Sequence, residues 1–118
     1  MKRSPLRRVS AKRRTANLNP ARSAMRARVL LRDGGCQAIG LYDHDCAGPV
    51  DPHHLWREGQ GGPWEEWNLL SLCRVAHSYV HGNPARSYEL GLLVPSWSGQ
   101  AGCATAQALR EMHRRSML

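Results

Sequence analysis

Within about thirty residues this chain carries Asp51-Pro-His-His-Leu55, then Asn68, then Cys73-Arg-Val-Ala-His77-Ser-Tyr-Val-His81. That order restricts the fold more than any bulk property does. Side chains alternate along an extended segment, so His53 and His54 face opposite sides and cannot do the same job. His77 and His81, four residues apart, share one face if their segment is a helix. Between the two groups, Arg57-Glu-Gly-Gln-Gly-Gly-Pro63 is too rich in glycine for regular structure, and it separates two short candidate strands, 50–55 and 68–72. The sequence therefore predicts a strand, a connector, a second strand, and a helix over 74–82 that Gly82 and Pro84 stop.

Flanking elements follow from local signals. Asn19 before Pro20 reads as a helix start, asparagine as N-cap and proline at the first helical position, with a helix over 21–32 ended by Gly34-Gly35. Residues 36–49 read as a loop with a cysteine near each end. Residues 85–90 read as a helical turn or more, 91–95 as an extended edge, and 104–115 as a C-terminal helix of good formers. A core lacking phenylalanine and leaning on Leu, Val and Ala is a small one, and small cores often recruit a metal.

Charge is unevenly placed. Residues 1–32 hold eleven of the seventeen lysines and arginines and none of the nine acids. The first eighteen residues read as a basic flexible arm suited to a polyanion, with Arg7, Arg8, Lys12, Arg13 and Arg14 as candidate DNA-phosphate contacts and Arg57 of the connector as another. The alternative is a merely solubilising tail. Neither a secretory signal nor a membrane span is expected, and the reading is of a cytoplasmic protein with reduced cysteines.

Metal-assisted hydrolysis requires a cation to stabilise charge on a phosphate and a base with a pKa near neutrality, and the split between His53 and His54 suits that pairing. The order His-His, Asn, Cys-x-x-x-His-x-x-x-His closely resembles the HNH endonucleases. The wording Pro-His-His, Asn-Leu-Leu-Ser-Leu-Cys, Val-His-Gly-Asn-Pro and Glu-Leu-Gly-Leu-Leu-Val is most similar to small HNH proteins of bacteriophages. The resemblance covers residues 30–95. It implies an α+β fold, a small ββα-metal (His-Me finger) domain within residues 19–118 with flanking helices. It also implies roles: His54 as general base, Asn68 as the group that holds the base-bearing loop and orients its imidazole, and His53, His77 and His81 as ligands of the catalytic cation, Mg²⁺ or another divalent ion such as Mn²⁺, Ni²⁺ or Zn²⁺. Asp51 is a candidate partner for a ligand or simply a turn residue. The implied reaction is hydrolysis of DNA to 5′-phosphate and 3′-hydroxyl ends, with phage packaging proteins as neighbours. A catalytically silent DNA-binding module and an RNA-directed nuclease are the alternatives.

Many HNH proteins brace this unit with a structural zinc on two cysteine pairs. Cys36 and Cys46 can supply the first pair and Cys73 opens the second, but its partner position is Ala76. Three outcomes follow: a zinc on Cys36, Cys46 and Cys73 completed by Cys103 or His44, a site without metal, or a weakened site completed by water. Cys103 leads His44, because His44 lies inside the 36–46 loop where ring strain opposes it. A Cys2His2 finger does not fit, since thirty residues separate Cys46 from His77 where about twelve are expected. Among the tryptophans, packing is the default for each: Trp64 and Trp67 are expected to pack the connector onto the domain, and Trp56, beside Arg57, is a candidate to lie near substrate.

Overall fold

The computed structural model describes residues 19–116. Helix α1, Pro20–Asp33, begins where Asn19 Oδ1 accepts from the amides of Ala21 and Arg22 at 2.9 and 3.3 Å. It ends at Gly34, whose φ of 69° lets its amide return to Leu30 O. Strands β1, Val50–His54, and β2, Leu69–Cys73, pair antiparallel with Val50 opposite Cys73 and His53 opposite Leu70. Pro52 is tolerated because β1 is an edge strand. Every residue of β2 is buried, whereas β1 buries only His53. Helix α2, Arg74–Gly82, follows β2 without a linker, helix α3 spans Pro84–Leu90, and helix α4 spans Gly99–Ser116. Over the described residues this is a compact α+β arrangement of four α-helices and one hairpin. None of these helices is long and apolar enough to cross a membrane.

The core joins Leu55, Leu72, Val80, Leu90, Leu92 and Val94 to Cys103 and Ala106 of α4. Two expectations change here. Residues 91–95 form no strand: Leu92 N turns back to Ser87 O and only Val94 N reaches across, to Leu55 O at 2.9 Å. Helix α4 starts at Gly99 rather than near residue 104, and Gly102 in its first turn lies close against Ser98 and Val94. A Cβ on Gly102 would lie 2.0 Å from Ser98 Oγ.

A polar latch fixes α1 to β2. Arg32 donates to Glu66 O at 2.7 Å and Leu69 O at 2.6 Å and is paired with Asp33, whose Oδ2 accepts from Ser71 N at 2.9 Å. Each such bond contributes about 1 kcal/mol net. The other α1 arginines also meet acids: Arg22 with Glu58 at 3.9 Å, Arg26 with Asp51 at 2.6 Å and Arg28 with Glu66 at 2.8 Å. The excess positive charge read for residues 1–32 is thus balanced, over its helical part, by acids from the body. Arg7, Arg8, Lys12, Arg13 and Arg14 lie outside the described residues.

Candidate functional site: a Cys3His cluster and a group of histidines

The pleat of β1 separates the two histidines as the alternation requires. His53 is 3% exposed and its Nε2 donates to Leu92 O at 2.7 Å. A carbonyl only accepts, so the ring's proton sits on Nε2 and Nδ1 keeps its lone pair. Burial, and then the nearby charges of His77, His81 and His54, push His53 down to about 3 against the effect of the Leu92 bond. It is a neutral imidazole with one free lone pair. The His77 ring stands edge-on to it with centroids 5.3 Å apart, and His77 Nε2 lies 3.2 Å from His81 Nε2. Two imidazoles on one tetrahedral ion would place their nitrogens about 3.3 Å apart. His77 is itself held below its ordinary value by burial and by His81, with Asp51 opposing.

His53, His77 and His81 do not close into a cage. Among the described residues, one group of three or more donors lies mutually within 4.8 Å, and it is Cys36, His44, Cys46 and Cys73. A catalytic site keeps positions open and a structural one does not.

His54 faces the other way. Its Nε2 is buried without a hydrogen-bond partner, and its ring meets the Trp64 ring edge-on at 4.9 Å. A buried polar atom left unpaired calls for an explanation, and a role in chemistry is one. Burial first, then Arg22 and His77, lower its pKa, with Glu58 opposing.

Asn68 is fully buried and acts on the connector. Its Nδ2 donates to Trp56 O at 2.9 Å and Pro63 O at 3.1 Å, while Oδ1 accepts from Trp56 N at 2.8 Å. The side chain clasps both ends of the 57–63 segment, and its polar atoms bond to Trp56 and Pro63, not to His54. Within that segment a Cβ on Gly62 would fall 1.8 Å from Trp56 O, so glycine is required for the closure. Trp56 Nε1 donates to Gln60 O at 3.0 Å and its ring packs on the core, so Trp56 closes the connector while Trp64 stands beside His54. Trp67 packs on the core as expected, and Trp56 takes the default packing role instead of an exposed one. Arg57 is half-buried, with Nε unpartnered, so the structure does not present its whole side chain as an exposed phosphate contact. Asp51 is paired with Arg26.

The cysteine cluster corrects the choice of fourth ligand. Cys103 Sγ is a buried donor to Asn68 Oδ1 at 3.4 Å, and burial pushes its thiol up, against Arg110, which suits a protonated side chain and not a ligand. His44 stands in the cluster instead, with Nε2 3.0 Å from Cys46 Sγ and 3.9 Å from Cys36 Sγ. Those distances bracket the sulfur–nitrogen edge of a tetrahedral zinc site, about 3.6 Å from ordinary bond lengths. Ring strain does not prevent this, because Gly40 at φ 85° reverses the chain between Cys36 and His44. His44 Nδ1 lies 3.3 Å from Tyr42 O, which fixes the tautomer that aims the Nε2 lone pair at the sulfurs. The imidazole stacks on Tyr42 at 4.5 Å, and Tyr42 stacks on Tyr79 of α2 at 4.1 Å.

Cys73 is the N-cap of α2, and its Sγ accepts from Ala76 N at 3.3 Å. Ala76 supplies no ligand, yet its amide serves the neighbouring sulfur. Burial would raise the Cys73 thiol, but the amides of Ala76 and Ala47 and the thiols of Cys36 and Cys46 bring it down to about 6. This Cys3His group can hold a metal ion such as zinc. The signal available in the sequence was His44-Asp-Cys46, a histidine two residues before a cysteine, with Tyr42 to brace it. No family model, curated protein or solved structure matches the chain, so its reading rests on its own residues.

Proposed function

We propose that this protein is a metal-dependent endonuclease of the HNH kind that hydrolyses phosphodiester bonds of DNA, with a structural zinc on Cys36, His44, Cys46 and Cys73. The observation that carries the reading is the contrast between neighbouring histidines. His53 is buried with its tautomer fixed beside His77 and His81, whereas His54 keeps an unpartnered ring nitrogen on the opposite face. A module that only binds DNA needs neither arrangement. A divalent cation held by His53, His77 and His81 would supply Lewis-acid stabilisation of charge on the phosphate and the leaving oxygen. In this assignment His54, neutral near pH 7 because its pKa is lowered, accepts the proton of the attacking water, and Trp64 limits solvent around it. Asn68 acts through the connector, by holding the segment that carries Glu58 and Trp64.

The test is cleavage of supercoiled plasmid in Mg²⁺ or Mn²⁺ by the wild type and by His54→Ala. Nicking by the wild type and none by the variant supports the reading, and equal rates refute the role of His54. Binding of duplex without any cutting would identify a silent DNA-binding module. RNA offered in competition decides the nucleic-acid class.

A further inference from the structure

Of the four ion pairs made by arginines of α1, that of Arg22 is the longest, and its arginine lies over the tryptophan whose ring meets His54. Its guanidinium carbon lies 5.1 Å from the centroid of Trp64, whose ring edge meets His54 at 4.9 Å. Glu58 Oε2 accepts from Trp64 Nε1 at 2.6 Å, and the same oxygen stands 3.9 Å from Arg22 Nη2. By contrast, Arg26, Arg28 and Arg32 meet their acids at 2.6 to 2.8 Å. Arg22 and Glu58 are 39% and 54% exposed, and exposed ion pairs of this length hold weakly. A guanidinium is better matched by two oxygens of one phosphate than by a single distant carboxylate oxygen. Trp64 supports the flat face of that guanidinium, so its position does not depend on Glu58 alone.

We propose that Arg22 receives a DNA phosphate beside His54, and that Glu58 occupies this cation in the free protein as a weak internal substitute for the phosphate. The inference rests on the endonuclease reading for the place where the scissile strand lies. DNA entry exchanges the Glu58 carboxylate for a phosphodiester at Arg22, while Trp64 stays beneath the guanidinium. Released from Arg22, Glu58 keeps its bond to Trp64 Nε1 or turns to solvent, and the resonance of that indole proton reports the change. Arg22 thereby sets the distance between the bound strand and His54.

The experiment uses the full chain, a mixed-sequence duplex of about sixteen base pairs, and no added divalent cation, so that binding is read without cutting. Affinity and its salt dependence are measured for the wild type, Arg22→Gln and Glu58→Gln, and the Trp64 indole proton is followed by NMR. Arg22→Gln should weaken binding about fivefold and reduce the salt slope by about one. Glu58→Gln should tighten binding about threefold, a gain that misfolding cannot produce. Duplex should move the indole resonance in the wild type. Unchanged affinity and slope in Arg22→Gln, or no gain in Glu58→Gln, overturns the proposal. If both shifts occur but no metal permits cutting, the endonuclease reading falls while Arg22 remains a phosphate receptor. If His54-dependent cutting occurs without those shifts, the role of Arg22 falls and the nuclease stands.

Discussion

At the N-terminus of α2, Cys73 joins three other donors whose ligand atoms all lie within 4.8 Å of one another, whereas one and two turns further along His77 and His81 stand beside His53 without closing. The first cluster is held by local geometry: a glycine turn, a stacked tyrosine and an amide capping a sulfur. The second is assembled from two elements, β1 and α2, and its buried member is fixed by a carbonyl from the irregular 91–95 segment. Helix α2 thus has a closed donor cluster at its N-cap and an open group of histidines along it, and in the proposed reading the first serves stability and the second chemistry. The comparison predicts that the two can be damaged separately.

The largest effect should come from the closed site. Structural zinc in small domains contributes roughly 10 kcal/mol or more of apparent binding energy, comparable to the whole stability of a domain this size. Cys36→Ser or His44→Ala should leave well under one zinc per chain and abolish the cooperative thermal transition. Cys103→Ser should retain one zinc and shift the transition by only a few degrees, since it removes a weak donor to Asn68. Elemental analysis with calorimetry checks this, and zinc lost from Cys103→Ser but kept in His44→Ala would restore the cysteine as ligand.

Next comes the candidate base, on the opposite face of β1 from the open group of histidines. His54→Ala should reduce plasmid cutting by about 10²- to 10⁴-fold, the usual range for a general base, while zinc content and the melting transition stay at wild-type values. Loss of zinc in this variant would mean that the two sites are not separable.

A smaller effect belongs to the connector. Asn68→Ala removes a buried amide with three backbone bonds and leaves Trp56 N unpaired, a loss of about 3 kcal/mol. Hydrogen exchange should accelerate at the amides of Gln60 and Gly62, with zinc retained. Uniform exchange across the whole chain instead would make Asn68 a general core residue.

The local half of this architecture was legible because it is written in short-range chemistry. Asn19, Pro20 and Gly34 cap α1 as their types demand, and β alternation alone placed His53 and His54 on opposite faces. What was not legible depends on chain reversals and distant partners. His44 joins the cysteines only because Gly40 turns the chain, and the acids that meet Arg22, Arg26 and Arg28 are 25 to 38 residues away. The 91–95 segment has the apolar run of a strand, but its backbone bonds go to Ser87 and Leu55 and one carbonyl goes to His53.

The smallest predicted effect probes β2, the strand that leads into both sites. Burial would raise the Asp33 carboxyl, yet the Arg32 guanidinium and the Ser71 amide hold it below its ordinary 3.8. A depressed carboxylate contributes stability that is full above its unfolded value and is lost only as the pH falls through the lower folded one. Asp33→Asn should therefore lower the melting temperature by about 5 °C, the loss of roughly 1 kcal/mol, and that difference should stay flat from pH 8 to pH 5. Below that range thiolate protonation would release a zinc held by the Cys3His group, and both proteins should then lose their transition together before Asp33 titrates. A difference that shrinks between pH 8 and pH 5 would mean that burial prevails over the Arg32 and Ser71 bonds. The anchor of β2 would then be apolar packing against α1, and both clusters would depend on the core more than on the latch.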